Sequence, residues 1–211
     1  MPLESRSTIE ERAKAAIDFP AEFPGIEFKA NLGFETINYR IAKTSMAMSN
    51  LRDGGLIIVG VAQDAMRNFV VEGVSNDNTL TYIQETVYEF VNKYASPPVE
   101  LRVMTVHHRS KDFTVIAVPP FERTPVVCRR NTPDGTSRAD QMREGDCFVR
   151  TGSPVATQRV KSAEMMADLL EIAVVRRIAE QDRIRREAGV SSFPVQESRF
   201  DNEVSDVADA L

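Results

Sequence analysis

Residues 22–29, EFPGIEFK, and residues 49–64, SNLRDGGLIIVGVAQD, decide how this chain folds. In the first stretch Pro24-Gly25 breaks the backbone. Ile26 and Phe28 then alternate with Glu27 and Lys29, the period of a strand with one apolar and one charged face. In the second, Asp53-Gly54-Gly55 ends a connection and opens the run LIIVGVA, whose unbroken apolar character suits a strand covered on both faces. Between them Glu35 to about Asn50 reads as a helix, with Ile37, Ile41, Ser45 and Met48 near one side.

Toward the N-terminus, Ser7 with Glu10 three residues on forms a capping box, and Ile9, Ala13, Ala16 and Ile17 continue a helical stripe to about Phe19. Toward the C-terminus, Asn68 to Val74 is a hairpin partner for the buried strand. Asn78 to Tyr94 then has Leu80, Ile83, Val87, Phe90 and Val91 at helical spacing and is stopped by Ser96-Pro97-Pro98. Three short strands are expected around Val99–His107, Phe113–Val118 and Pro125–Cys128, with Arg109 to Asp112 as the first turn. A polar loop from Asn131 to Gly145 precedes a strand at Cys147–Arg150, and Ser162 caps a long helix ending near Gly189. This succession is α+β, with a mixed, largely antiparallel sheet flanked by helices. The expected organisation is an N-terminal helix (1–20), a single compact domain (21–160), a long C-terminal helix (161–189) and an acidic tail (190–211), too poor in apolar bulk to order itself.

A chain of 211 residues that is 42% apolar can build one real core with appendages. No window approaches the roughly 18 uncharged residues of a membrane span, and MPLESRSTIEER is charged where a signal peptide is apolar. The expectation is a cytoplasmic protein without a membrane partner. Cys128 and Cys147 show neither a CxxC nor a His-rich neighbour and read as ordinary thiols. The net charge of −5 is uneven: 9 basic and 14 acidic residues over 1–100, 16 and 12 over 101–189, and 1 and 5 over 190–211. A basic second half can carry a local positive face, so net charge does not exclude nucleic acid.

Glu22 and Glu27 would stand roughly 16 Å apart on an extended chain. A type II turn, favoured by Pro then Gly at its centre, would let the two carboxylates converge. Convergent carboxylates suit Mg²⁺ or Mn²⁺, which take oxygen ligands and keep positions for water and phosphate. Lys29 shares the strand face of Glu27 and is placed to meet a phosphate; the plainer reading is that it only pairs with Glu27. Arg102, Arg109, Lys111, Arg129, Arg130 and Arg150 fall in neighbouring strands and turns and are candidates for one phosphate-tracking face. Phe113, Phe121 and Phe148 alternate with apolar residues as core positions do, so base stacking has little support from them. His107 and His108 must point to opposite strand faces, leaving at most one for a site. Ser153 lacks a recognisable His and Asp, so a nucleophilic hydrolase is not favoured.

Taken in order, E-F-P-G-I-E-F-K, the helix ending in S-N with G-G after it, G-L-I-I-V-G-V, V-I-A-V-P-P ahead of T-P-V-V, and F-V-R-T-G-S at 148–153 resemble the Schlafen-type AlbA domain. The resemblance implies a compact α+β fold and nucleic-acid binding. It further implies a metal-dependent endoribonuclease on structured RNA such as transfer RNA, with RNA favoured over DNA. Glu22 and Glu27 match the family's E-x4-E element. The third acid departs from the family: Asp commonly follows the strand's Gly-Val, but Ala62 and Gln63 stand there and Asp64 is the first acid, needing a one-residue bulge to join the glutamates. The alternative is a non-catalytic DNA- or nucleotide-binding regulator. An older family name implies ATP, yet no GxxxxGK element occurs. The family's nucleases cradle RNA between two lobes in one chain; here a homodimer would supply the second.

Overall fold

The computed structural model describes residues 4–189. Helix α1 (Arg6–Asp18) is capped two residues before the expected position. Ser5, not Ser7, has the extended backbone of an N-cap, and its hydroxyl accepts the Thr8 N–H at 3.2 Å. Ile9, Ala13 and Ile17 are the buried face of the helix, as their spacing requires.

After α1 the chain reverses at Pro24-Gly25, where Ile26 N–H donates to Phe23 C=O at 3.0 Å. Gly25 does not have the positive φ that a type II turn demands, so the reversal is real but of another form. Strand β1 (Ile26–Lys29), helix α2 (Phe34–Ser49) and strand β2 (Gly55–Val59) then make a parallel strand–helix–strand unit, with Ile26 opposite Leu56 and Lys29 opposite Val59. Every residue of β2 is buried, which accounts for its continuous apolar run.

The run LIIVGVA is not one strand. Gly60 sits at φ 109°, a conformation that side chains rarely adopt, and turns the chain out of the sheet. Strand β3 (Val61–Gln63) leaves to pair with β4 (Phe69–Val71) in a two-stranded sheet of its own. Gly60 C=O accepts the N–H groups of Glu72 and Gly73, both at 2.9 Å, which closes this excursion. The helix expected from Asn78 to Tyr94 is likewise two pieces, α3 (Asn76–Thr79) and α4 (Gln84–Tyr94). The segment between them is held by the β1–α2 junction: Thr81 Oγ1 accepts the Phe34 N–H at 2.8 Å, and Tyr82 Oη donates to Leu32 C=O at 2.6 Å. Gly33 offers α2 no side-chain cap, so Thr81 supplies one from outside the helix.

Strand β5 (Ala95–Ser96) follows α4, and β6 (Arg102–His108) and β7 (Lys111–Val118) then form a hairpin. The principal sheet has the order β1-β2-β7-β6, with one parallel and two antiparallel pairings. Strand β8 (Val127–Cys128) pairs with β5, and β9 (Phe148–Gly152) with β10 (Val155–Arg159), a strand that the sequence reading did not foresee. Helix α5 (Ala163–Glu187) is capped by Ser162, whose hydroxyl accepts the Met165 N–H at 3.2 Å. The described residues divide into two units between Ala173 and Val174, a division that falls inside α5. The acidic stretch 190–211 lies outside the described residues.

Strand alternation splits the core between the two faces of the principal sheet. Ile57, Val59, Ile116 and Val118 belong to one cluster with Ile37 and Ile41 of α2 and Val87 and Val91 of α4. Leu56, Ile58, Val115 and Ala117 belong to the other, with Ile9, Ala13 and Ile17 of α1. Each large side chain so buried contributes about 1.5–3 kcal/mol. Phe113, Phe121 and Phe148 are core residues, and both cysteines are buried free thiols. Burial pushes the Cys147 thiol up to about 11 and raises Cys128 as well, so neither is a ready nucleophile. Among the described residues no helix is long and apolar enough to cross a membrane.

Candidate nucleic-acid interface

Strand β1 ends where β3 begins to diverge, and this parting opens a cleft of about 250 Å³ beside the start of α2. Its polar lining is Glu22, Glu27, Lys29, Arg40 and Gln63, over a floor that includes Ile37 and Phe69. The turn at Pro24-Gly25 is what brings Glu22 back to the charged face of β1. Gly60 is what releases β3 to form the other wall.

The two glutamates are not equivalent. Glu22 Oε1 accepts from the Gln63 side-chain amide at 3.1 Å, a neutral partner. Glu27 is paired twice, Oε1 with the Lys29 ammonium and Oε2 with Arg150 Nη2 at 2.8 Å. Arg150 also donates from Nε to Pro24 C=O at 3.1 Å, from Nη1 to Thr157 Oγ1 at 3.2 Å and from Nη2 to Ile26 C=O at 3.4 Å. Its side chain is 3% exposed. Arg150 therefore braces β9 and β10 against the turn before β1, and its guanidinium is turned away from any solvent-borne phosphate.

Asp64 is absent from the cleft lining. Its Oδ1 accepts the backbone N–H groups of Met66 and Asn68, both at 2.8 Å, and its Oδ2 accepts the Asn68 amide at 3.0 Å. These bonds close the β3–β4 connection and, led by the Asn68 side chain, hold the carboxyl below its ordinary range. The bulge that would bring Asp64 to the glutamates does not form, because β3 pairs in register, Val61 with Val71, Ala62 with Val70 and Gln63 with Phe69. Gln63 reaches Glu22 instead. Among the described residues no three His, Cys, Asp or Glu side chains are grouped to hold a metal ion. With Glu27 already neutralised by two cations and Asp64 tied into its turn, the residues present do not fit a three-acid Mg²⁺ or Mn²⁺ centre.

The basic residues expected on one face divide into separate places. Arg109, in the β6–β7 turn, pairs through Nη2 with Asp18 Oδ1 at 2.7 Å, and His108 Nε2 meets the same oxygen at 2.7 Å. Asp18 is held below the usual carboxylate range chiefly by His108, with Arg109 adding to it. Lys111 donates to Val71 C=O at 2.6 Å, on the β3–β4 side. Arg102 is at the far end of β6, roughly 20 Å of strand from His108, and bonds Glu4 C=O at 3.3 Å. Arg129 and Arg130 are exposed directly after β8, in another sheet. His107 points away from His108, as alternation requires, and bonds Asp112 at 2.8 Å.

Three residues, one lining the cleft and two flanking Glu22 in the chain, escaped the sequence reading. Gln63 is one. Phe19 and Phe23 are the others, 83% and 58% exposed, on either side of Glu22 in the chain. A signal existed, since each precedes a proline, and a residue before proline is disfavoured in the helical region. The backbone there cannot continue α1.

A family model described as Schlafen, AlbA_2 matches residues 22–157, from Glu22 at the cleft into β10. The chain belongs to the Schlafen AlbA_2 family. Membership supports a nucleic-acid-related role for this AlbA_2 domain and agrees with its α+β architecture. No match is found among curated proteins. Among solved structures the domain is similar to the DIP2311 protein from Corynebacterium diphtheriae, with 14% identity and a TM-score of 0.48 over 76% of this chain and 28% of that one. It is also similar to the N-terminal domain of a RecG-related protein from Nitrosomonas europaea, described as a candidate ATP-dependent DNA helicase. There the identity is 16% and the TM-score 0.43, over 67% of this chain and 89% of that domain. The chain thus spans little more than a quarter of the Corynebacterium protein, and at these scores neither likeness bears on function.

Proposed function

We propose that this AlbA_2 domain is a nucleic-acid-binding module whose cleft recognises the strand without cutting it, with RNA preferred to DNA. The double pairing of Glu27 with Lys29 and Arg150 is the observation that carries the choice of binder over nuclease. A carboxylate with both oxygens engaged by cations has little charge left for a divalent ion. Positive charge for the phosphates comes from Arg109 and from Lys111. With so few cations the electrostatic contribution is small, about 0.7 in the slope of log affinity against log salt for each phosphate neutralised on a single strand. Fluorescence anisotropy of a labelled RNA across a salt series tests this. A slope of about two or less is expected, reduced by about 0.7 in Arg109→Ala; no binding at low salt would end the proposal.

A second reading, a divalent-metal-dependent endoribonuclease on structured RNA, is favoured by one fact: Glu22 and Glu27 line the same cleft. It requires Lys29 and Arg150 to release Glu27. Manganese-dependent cleavage of transfer RNA that is lost in Glu27→Gln would establish it in place of the first.

A further inference from the structure

We propose that Phe19 and Phe23 are stacking platforms for unpaired bases of a single-stranded or looped nucleic acid whose backbone passes the Arg109–His108 corner and enters the cleft beside Glu22. The proposal rests on the nucleic-acid reading above and adds the part of the strand that is read.

An exposed apolar side chain is ordinary when it stands alone. These two do not. They lie on one short connector, Phe19 as the C-cap of α1 and Phe23 at the start of the turn into β1. Each is followed by a proline, which stiffens the backbone and lowers the entropy lost when the ring is engaged. Glu22, which lines the cleft, is adjacent to Phe23 and within about 11 Å of Phe19 along the chain. Neither ring is in the aromatic pairs found among the described residues, which include Phe28 with Phe69 and the cluster of Phe34, Tyr39, Tyr82, Phe90 and Tyr94. The faces of Phe19 and Phe23 are thus open to a planar partner.

Charge selects that partner. Asp18, next to Phe19, is already shared by Arg109 and His108. The Arg109 side chain is 54% exposed, and a guanidinium has five N–H donors, so donors remain for phosphate oxygens. Aromatic faces alternating with cations are the means by which proteins hold single strands, because every base has a π-face and every nucleotide a phosphate. A duplex keeps its bases stacked inward and offers these rings nothing to cover, whereas loops and bulges expose theirs.

The chain contains no tryptophan, so Phe19→Trp introduces a single indole whose emission reports directly on that ring. At 83% exposure the substitution touches no core, and a circular-dichroism melt matching wild type confirms this. Binding is followed separately by anisotropy of fluorescein-labelled oligouridylate, oligothymidylate and a perfect duplex of equal length. Both single strands are expected to quench the indole as they bind, the stronger one identifying RNA or DNA as the source, while the duplex leaves emission unchanged. Phe19→Ala and Phe23→Ala should each weaken single-strand binding about tenfold. If the strands bind but emission and the alanine variants are unaffected, the stacking proposal fails and nucleic-acid binding stands. If wild type binds no strand, both fail. An emission change that depends on protein concentration without any strand would assign the ring to contact between copies and overturn the proposal.

Discussion

Arg150 and Glu27 join through Nη2 and Oε2 at 2.8 Å, with the arginine side chain 3% and the glutamate side chain 19% exposed. The pair links β9 to β1 and sets the charge of the cleft wall. Removing the cation leaves Glu27 with Lys29 alone and frees the carbonyls of Pro24 and Ile26, so Arg150→Met should destabilise the fold by about 3–5 kcal/mol in urea denaturation. A loss under about 1 kcal/mol would show that the brace is dispensable.

Gly60 separates the principal sheet from β3 at φ 109°, and a Cβ there would come within 2.9 Å of both the Gly73 backbone and the Phe113 ring. Gly60→Ala should cost more than about 1 kcal/mol, from strain in the folded backbone. Because this glycine also opens the cleft, amide exchange in Val61–Val71 should quicken in the variant. An unchanged melting temperature would remove Gly60 from this role.

The β6–β7 turn places two residues other than glycine in the left-handed region, Arg109 at φ 51° and Ser110 at φ 59°. Two-residue hairpin turns of this kind are usually Asn-Gly. Ser110→Gly should therefore stabilise the protein by about 1 kcal/mol, the cost of a side chain in that conformation. Arg109 keeps its ion pair with Asp18, so nucleic-acid affinity should not change; a destabilised variant would refute the assignment of strain.

Acid should act at the α1 terminus. Asp18 is more acidic in the folded chain than in the unfolded one, chiefly because of His108. Its contribution to stability is thus present above the unfolded carboxylate value of about 3.9 and is lost as pH falls through the lower folded value. Asp18→Asn should reduce stability at pH 6 and make no difference below both values. Carbon-detected titration of Asp18 should give a midpoint below the ordinary one, rising in His108→Ala. A midpoint unmoved by that change would contradict the pairing.

The parts of the fold visible in the sequence are those in which one local pattern fixes the answer. Ile26 and Phe28 alternate, LIIV is continuous, and Ile9, Ala13 and Ile17 recur at helical spacing, so β1, β2 and α1 could be read directly. The parts that were missed depend on contacts distant in sequence. Gly60 looks like any glycine in a strand until Glu72 and Gly73 bond its carbonyl. Residues 80–83 are apolar enough for helix, but Thr81 and Tyr82 are committed to the β1–α2 junction. At the site, E-x4-E brought attention to Glu22 and Glu27, and both line one cleft. That Arg150 faces inward onto Glu27, and not outward to phosphate, follows from where β9 crosses the turn, which no local pattern encodes. Asp64 satisfies its own turn for a reason legible only afterward: Asn68 lies four residues on, where a short side chain can close it.

The most direct measurement follows labelled transfer RNA with purified protein and manganese, scoring retention and cleavage together in wild type and Glu27→Gln. Wild type should retain the RNA and leave it intact, with the variant no different in cleavage. Cutting by wild type that Glu27→Gln abolishes would contradict a binding cleft and make Glu27 a ligand in use.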